Sequence, residues 1–288
     1  MKKKNLNLAP YIFLLPSLGI FVVFVFFPFV KTFVYSFTLT NSRGRALEFT
    51  GLENYIKLFS SPAFFNSLRL TFIFAPMVCI PTLLGSYILA ALAHTRGKGS
   101  RIYEVMYSLP MAIASAPASA IWALILSSGK SGMLNHLLGA EIRWLLDTKY
   151  ALASIAVITV WMNLGTGFIF LLTGFRNVNQ ELLESAHIDG AGYFTRLFKI
   201  ITPLASPQIF FVAFLNIAAS FQAFAQIRLL TQGGPNNTTN VLIYLIYQAA
   251  IRDSRFETAF AQSMVLFVII FTVSMVQFRA EGRMVHYR

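Results

Sequence analysis

The chain has 288 residues, 56% of them hydrophobic and only 12% charged, about half the charged share of an ordinary soluble domain. A water-soluble globule is excluded, because so few charges cannot supply its polar surface. The 23 Lys and Arg against 11 Asp and Glu give a net charge of +12, yet they sit between apolar blocks, which points to membrane topology and anionic headgroups and away from a nucleic-acid partner.

In chain order, Lys2-Lys3-Lys4 leads into an uncharged stretch over 5–30, and five more follow at 70–93, 105–129, 150–175, 200–227 and 258–278. Each holds the roughly 20 apolar residues that a helix needs to cross the hydrocarbon core. They predict an all-α membrane protein with six transmembrane helices, at 8–33, 70–93, 105–127, 151–175, 203–227 and 258–278, in a single membrane domain over 1–288. A β-barrel would show short alternating segments, and Phe21-Val-Val-Phe-Val-Phe-Phe27 does not alternate. The first stretch reads as a retained helix: it is too long for a secretory signal and no small-residue cleavage pattern follows. Apolar stretches around Phe64 and over 241–251 are interrupted or too short to span; the second reads as an interfacial or re-entrant helix. No fixed-period repeat or low-complexity linker divides the chain.

With the N-terminus inside, the inner pieces carry 12 Lys and Arg against 11 outside. The outer loops are longer in total, so positive charge is denser inside. Lys2 to Lys4, Arg96 with Lys98 and Arg101, and Arg279 with Arg283 press against span ends. Both termini are therefore expected on the cytoplasmic side.

The loop between the fourth and fifth spans has a pattern. Phe194, Leu197, Phe198 and Ile201 recur at the spacing of one helical face, and Leu182, Leu183 and Ala186 form a shorter stripe that Asn179 can cap. Asp189-Gly190 is a turn signal between them, and glycine there permits a positive φ or a close backbone approach. The loop reads as helix, turn, helix. On periodicity alone, an anchor lying on lipid and a docking knob are equally good readings.

The run Glu184-Ser185-Ala186, three residues, Gly190, nine residues, Ile200, one residue, Thr202-Pro203 resembles the EAA loop of permease subunits of ATP-binding-cassette importers. That family's pattern is EAA, three residues, glycine, nine residues, I-x-L-P; Ser185 here replaces an alanine and Thr202 a leucine. Asp189-Gly190-Ala191 with Phe198 and Pro207 is similar to the carbohydrate-uptake branch. So are Gly51 to Tyr55 with Phe59 and Ala63-Phe64, Leu230 to Pro235 with Thr238-Thr239, Ala261-Gln262-Ser263, and the Val285-His286-Tyr287 ending. Thr238 to Tyr247 and Val276 to Arg279 look closest to the first permease subunit of glycerol-3-phosphate importers, and sister subunits for oligosaccharides share most of these features.

The resemblance implies a type I importer permease fold and a division of labour. A second permease subunit, two ATP-binding subunits and an extracytoplasmic solute-binding protein would be the partners. ATP would be hydrolysed by those subunits, with no cofactor bound and no chemistry performed by this chain. The cytoplasmic loop over 177–202 would dock on an ATPase subunit through Glu184, Ala186, Asp189, Gly190, Ala191, Phe198 and Pro203. Nucleotide-driven closure would then move the attached spans, which requires a stiff lever.

Polar groups on apolar helices mark a candidate path: Asn163, Thr166, Asn216, Ser220, Gln222 and Gln262, although each is as readily a helix-to-helix hydrogen bond. Trp122 and Trp161 offer faces for stacking on a sugar ring, packing being their commoner role. A cation at a helix centre costs about 2.5–3.5 kcal/mol, and none stands in any of the six uncharged stretches, which leans toward neutral sugars. Arg69, Arg228 or a partner subunit would have to serve a phosphate, so the solute class stays carbohydrate or polyol phosphate.

Other patterns carry no chemistry. Gly129-Lys130-Ser131 lacks the earlier glycine of a phosphate-binding loop, Leu124 standing there, and Gly165-Thr166-Gly167 reads as close helix packing. The four histidines lack ligand spacing, the sequons at Asn236 and Asn237 read as incidental, and Cys79 allows neither an intrachain disulfide nor a multi-thiolate metal site. A stand-alone secondary transporter or channel would need an internal repeat or intramembrane ionisable residues, and an intramembrane enzyme a nucleophile and base.

Overall fold

The structure, a computed structural model, describes residues 9–95, 100–130 and 132–284. Lys2 to Lys4, residues 5–8 of the first stretch, Arg96, Lys98, Ser131, the side chain of Arg283 and the Val285-His286-Tyr287 ending lie outside the described residues. Among the described residues, five helices are long and apolar enough to cross a membrane: Phe13–Tyr35, Pro62–Ala93, Ala151–Arg176, Ser206–Leu230 and Phe256–Gly282. The pair Ser100–Ala112 and Ser115–Ile125, bent by 99°, makes a sixth crossing when taken as one span. The chain divides into two compact units, Met1–Pro62 with Ile246–Phe267 and Ala63–Leu245 with Val268–Arg288. The first unit draws on two distant parts of the chain, which composition along the sequence does not reveal.

In the first unit, the leading helix (Ala9–Phe21, a π-helical turn Val22–Phe26, then Phe27–Tyr35) is apolar on every face from Phe13 to Val30 apart from Ser17 and carries Lys31 in its last turns, the pattern of a helix solvated by lipid. A two-stranded antiparallel hairpin follows, β1 (Thr38–Thr40) and β2 (Ala46–Phe49), with Thr38 opposite Phe49. The Asn41 side-chain carbonyl shapes its turn by accepting from the backbone N–H groups of Arg43 at 3.0 Å and Arg45 at 2.9 Å. Asn54, on the short helix Glu53–Phe59, donates to the carbonyls of Ser36 and Thr38, each at 3.0 Å. Thr40 donates to Glu257 at 2.5 Å, tying the hairpin to the start of the last helix, Phe256–Met284.

In the second unit, the fourth span crosses its neighbours through glycine. A Cβ on Gly165 would stand 3.1 Å from the Ser108 carbonyl oxygen, and one on Gly167 would collide with the Ser86 side chain. These are packing glycines that let backbones approach closely. Nearer the 177–204 segment lies a core shared by Ala90, Ala91 and Ala93 of the second span, Phe168, Leu171 and Phe175 of the fourth, and Leu197 and Ile201.

Two spans depart from the sequence reading because of proline. The third is not one straight helix. Pro117 has no N–H for the Ile113 carbonyl and its ring would clash with it, so the helix ends at Ala112 and restarts with Ala114 extended at ψ 151°. The fifth begins at Ser206 and not at 203: Pro207 likewise cannot bond Pro203, the helix from Tyr193 runs on through Thr202–Leu204, and the break falls at Ala205. The fifth is broken again over 222–224, before Ala225–Leu230. The stretch around Phe64 is part of the second helix, Pro62–Ala93, with Phe64 fully buried. Residues 241–251 fall in the short helix Leu242–Tyr247 and a π-helical turn Gln248–Arg252.

Candidate coupling loop and transport path

Asn179 begins the loop, its side-chain oxygen accepting from the Glu181 N–H at 2.9 Å and satisfying one orphan donor of the helix Gln180–Ile188. The end is a Schellman motif: Gly190 N–H donates to the His187 carbonyl at 3.0 Å and Ala191 N–H to that of Ala186 at 2.9 Å. Gly190 has φ +81° with nothing within 4 Å of where a Cβ would stand, so of its two possible reasons the left-handed backbone is the one that operates. Asp189 is the C-cap, and Gly192 the N-cap of the second helix, Tyr193–Arg196.

The second helix passes into a π-helical turn, Leu197–Ile201, and then Thr202–Leu204, which holds Pro203. Its expected single apolar face divides. Leu197 and Ile201 are buried, while Phe194 and Phe198 stack on each other at 6.4 Å and stay 70% and 57% exposed. Ile188, at the tip of the first helix, is 85% exposed. Glu184 and Asp189 are exposed and Ala186 and Ala191 half-buried.

Tyr193 donates to the Ala91 carbonyl at 2.5 Å, and Tyr87 shares a 2.6 Å hydrogen bond with Thr202. Burial and then the neighbouring Tyr87 push the Tyr193 phenol above its ordinary range, so it keeps the proton it donates. Its hydrogen bond is fully present at neutral pH and is lost only as pH rises through that elevated value. A cleft of about 600 Å³ lies against the loop, lined by His94, Arg176, Leu183, Glu184, His187, Tyr193 and Arg196 among others.

Of the path residues, Asn163 and Gln222 are brought together. They line a cleft of about 490 Å³ between the fourth and fifth spans with Thr159 and Gln226, and among the described residues no charged side chain lines it. Gln222 caps the first half of the broken fifth span, and Gln226, in the second half, donates to the Met162 sulfur at 3.3 Å. Sequence reasoning passed over Thr159 and Gln226; the available signal was two glutamines four apart in an apolar span. Trp122 and Trp161 pack edge to face on each other at 5.6 Å. Ser220 donates to the Asn216 carbonyl at 2.6 Å, and Asn216 keeps a buried amide nitrogen without a partner. Thr166 is exposed, and Gln262 is buried in the first unit, apart from this cleft's lining. Among the described residues no cluster of His, Cys, Asp or Glu could hold a metal ion.

The family of binding-protein-dependent transport system inner membrane components matches residues 82–284, and so takes in both the loop and the cleft. The chain belongs to this family. Over 283 residues the permease is 34% identical to the sn-glycerol-3-phosphate transport system permease protein UgpA of Yersinia enterocolitica, covering 97% of this chain and 96% of that one. The protein of the same name from Pectobacterium atrosepticum is 33% identical over the same shares. A solved bacterial ABC transporter involved in import of the acidic polysaccharide alginate has a chain of the same fold, with TM-score 0.86 at 20% identity over 96% of each chain. A bacterial alginate ABC transporter in complex with alginate pentasaccharide-bound periplasmic protein gives TM-score 0.83 at 19% identity, over 96% of this chain and 94% of that one. The permease is thus a multi-pass component of a binding-protein-dependent importer, with the fold of type I importer permeases.

Proposed function

We propose that this permease imports a carbohydrate-class solute, delivered by an extracytoplasmic binding protein, through alternating access driven by two ATPase subunits that grip the loop over 177–202 on the cytoplasmic side. A second permease would complete the path. The chain itself would bind no cofactor and catalyse no reaction. The observation that carries the reading is the loop's construction. It is capped at its start, closed by a Schellman turn, rooted in the core through Leu197 and Ile201, and still displays Ile188, Phe194 and Phe198 to a partner. A stiff knob of this kind transmits a displacement of a few ångströms that a floppy loop would dissipate. The glycerol-3-phosphate and alginate systems move acidic solutes, whereas the Asn163–Gln222 cleft offers amides and a hydroxyl and no charge. That lining supports a neutral, hydroxylated solute here.

Purification through a tag on this chain should bring down two ATPase subunits and a second six-span chain. Solute-loaded binding protein should raise ATP hydrolysis by that complex in vesicles. Solute uptake by the chain alone, without ATP, would overturn the reading in favour of a stand-alone carrier.

A further inference from the structure

We propose that Arg176, with Glu104 and Tyr193, is a pin that carries movement of the loop into the second and third spans, making Arg176 and Tyr193 positioning residues for transport. The inference rests on the coupling reading above. Chain connectivity would pass a displacement of the loop only to the fourth and fifth spans, between which it lies.

Arg176 is the last residue of the fourth-span helix. One of its terminal nitrogens donates to the Ala93 carbonyl at 3.0 Å and to Glu104 Oε1 at 2.6 Å, and its Nε donates to the His94 carbonyl at 3.4 Å. Ala93 and His94 close the second span, where the last carbonyls have no helical partner and the helix end carries partial negative charge. Glu104 stands on the helix Ser100–Ala112, the first half of the third span. One guanidinium therefore joins the C-terminal ends of the second and fourth spans, where a cation has the favoured sign, to a carboxylate on the third. Its charge partner is shielded too: the Arg176 and Glu104 side chains are 20% and 29% exposed, so salt screens the pair less than a surface one. Lysine, a point charge on a flexible stem, cannot reproduce the planar fork that reaches three acceptors.

The loop's second helix grips the same region independently. Tyr193 bonds the Ala91 carbonyl, Tyr87 bonds Thr202, and Leu197 and Ile201 share a core with Ala90, Ala91, Ala93 and Phe175. A lever clamped in this way cannot turn about the fifth span without taking the end of the second span with it.

The test uses the complete importer complex with its binding protein in proteoliposomes and reads solute transported per ATP hydrolysed. Arg176→Gln and Tyr193→Phe should each lower that ratio severalfold in complexes assembled at wild-type levels, with Arg176→Lys between them and wild type. A merely structural role would lower the amount of complex and leave the ratio alone. Should Arg176→Gln fail to assemble, Arg176→Lys and the minimal Tyr193→Phe still decide, a lowered ratio in the assembled complexes supporting the pin and an unchanged one overturning it. An unchanged ratio in assembled Arg176→Gln and Tyr193→Phe overturns the pin. Gly190→Val separates the two levels: if it uncouples while those variants do not, only the pin fails, and if it too is normal the coupling reading fails with it.

Discussion

A backbone angle decides what Gly190 is for. At φ +81° with open space where a Cβ would stand, an L residue meets no neighbour but enters the left-handed region at a cost of about 1–2 kcal/mol, roughly a tenfold shift in the population of the closed turn. Asparagine tolerates that conformation best among the other residues, and a β-branched residue worst. Binding-protein-stimulated ATP hydrolysis should therefore fall in the order Gly190, Gly190→Asn, Gly190→Ala, Gly190→Val. If asparagine, the larger side chain, is worse than alanine, contact and not φ is the constraint. The spacing of Asp189-Gly190 told us where the turn stands and Asn179 where the helix starts, since both are local chemistry. It did not tell φ from close approach, because that depends on what packs opposite. For the same reason Arg176 and Tyr193 were invisible as a pair: the backbone carbonyls they donate to stand over 80 residues away in sequence and Glu104 stands 72 away, which no motif encodes.

Elements were legible wherever hydrophobic length alone decides, as in the second, fourth and sixth spans, and less so where a proline competes. A helix interior loses about 3 kcal/mol or more to a proline, yet Pro76 and Pro81 sit inside the second helix while Pro117 coincides with the 99° bend of the third span. We attribute that bend to Pro117, whose missing donor and ring both act on Ile113. Pro117→Ala should let residues 100–125 move toward one helix, about 1.5 Å per residue end to end. Spin labels at Ile102 and Leu124, both exposed, should then lie farther apart than in the unsubstituted chain, in a background where Cys79 is replaced. An unchanged distance would assign the bend to tertiary packing, such as the close approach of Gly165 to Ser108. The stripe from Phe194 to Ile201 shows the complementary limit. Its period was right, but the π-helical turn and the adjoining core send Leu197 and Ile201 inward and leave Phe194 and Phe198 exposed.

For the molecule as a whole, the net charge of +12 tells little about the solute, because among the described residues no charged side chain lines the cleft between the fourth and fifth spans. The cleft presents Thr159, Asn163, Gln222, Gln226 and the interrupted backbone over 222–224. Irregular backbone at membrane depth is tolerated where it lines a cavity or is buried in protein, so the break and the amides belong to one feature. Asn163→Asp keeps the shape and adds a negative charge. Like charges about 7 Å apart at an effective dielectric of about 20 repel by roughly 2 kcal/mol, enough to slow an anionic solute more than tenfold while leaving a neutral one little changed. Uptake of a neutral sugar and of a glycerol phosphate into proteoliposomes, each with a binding protein that accepts it, makes the comparison. A selective loss for the anion places Asn163 on the path, whereas equal losses for both would return it to the ordinary role of a helix-to-helix hydrogen bond.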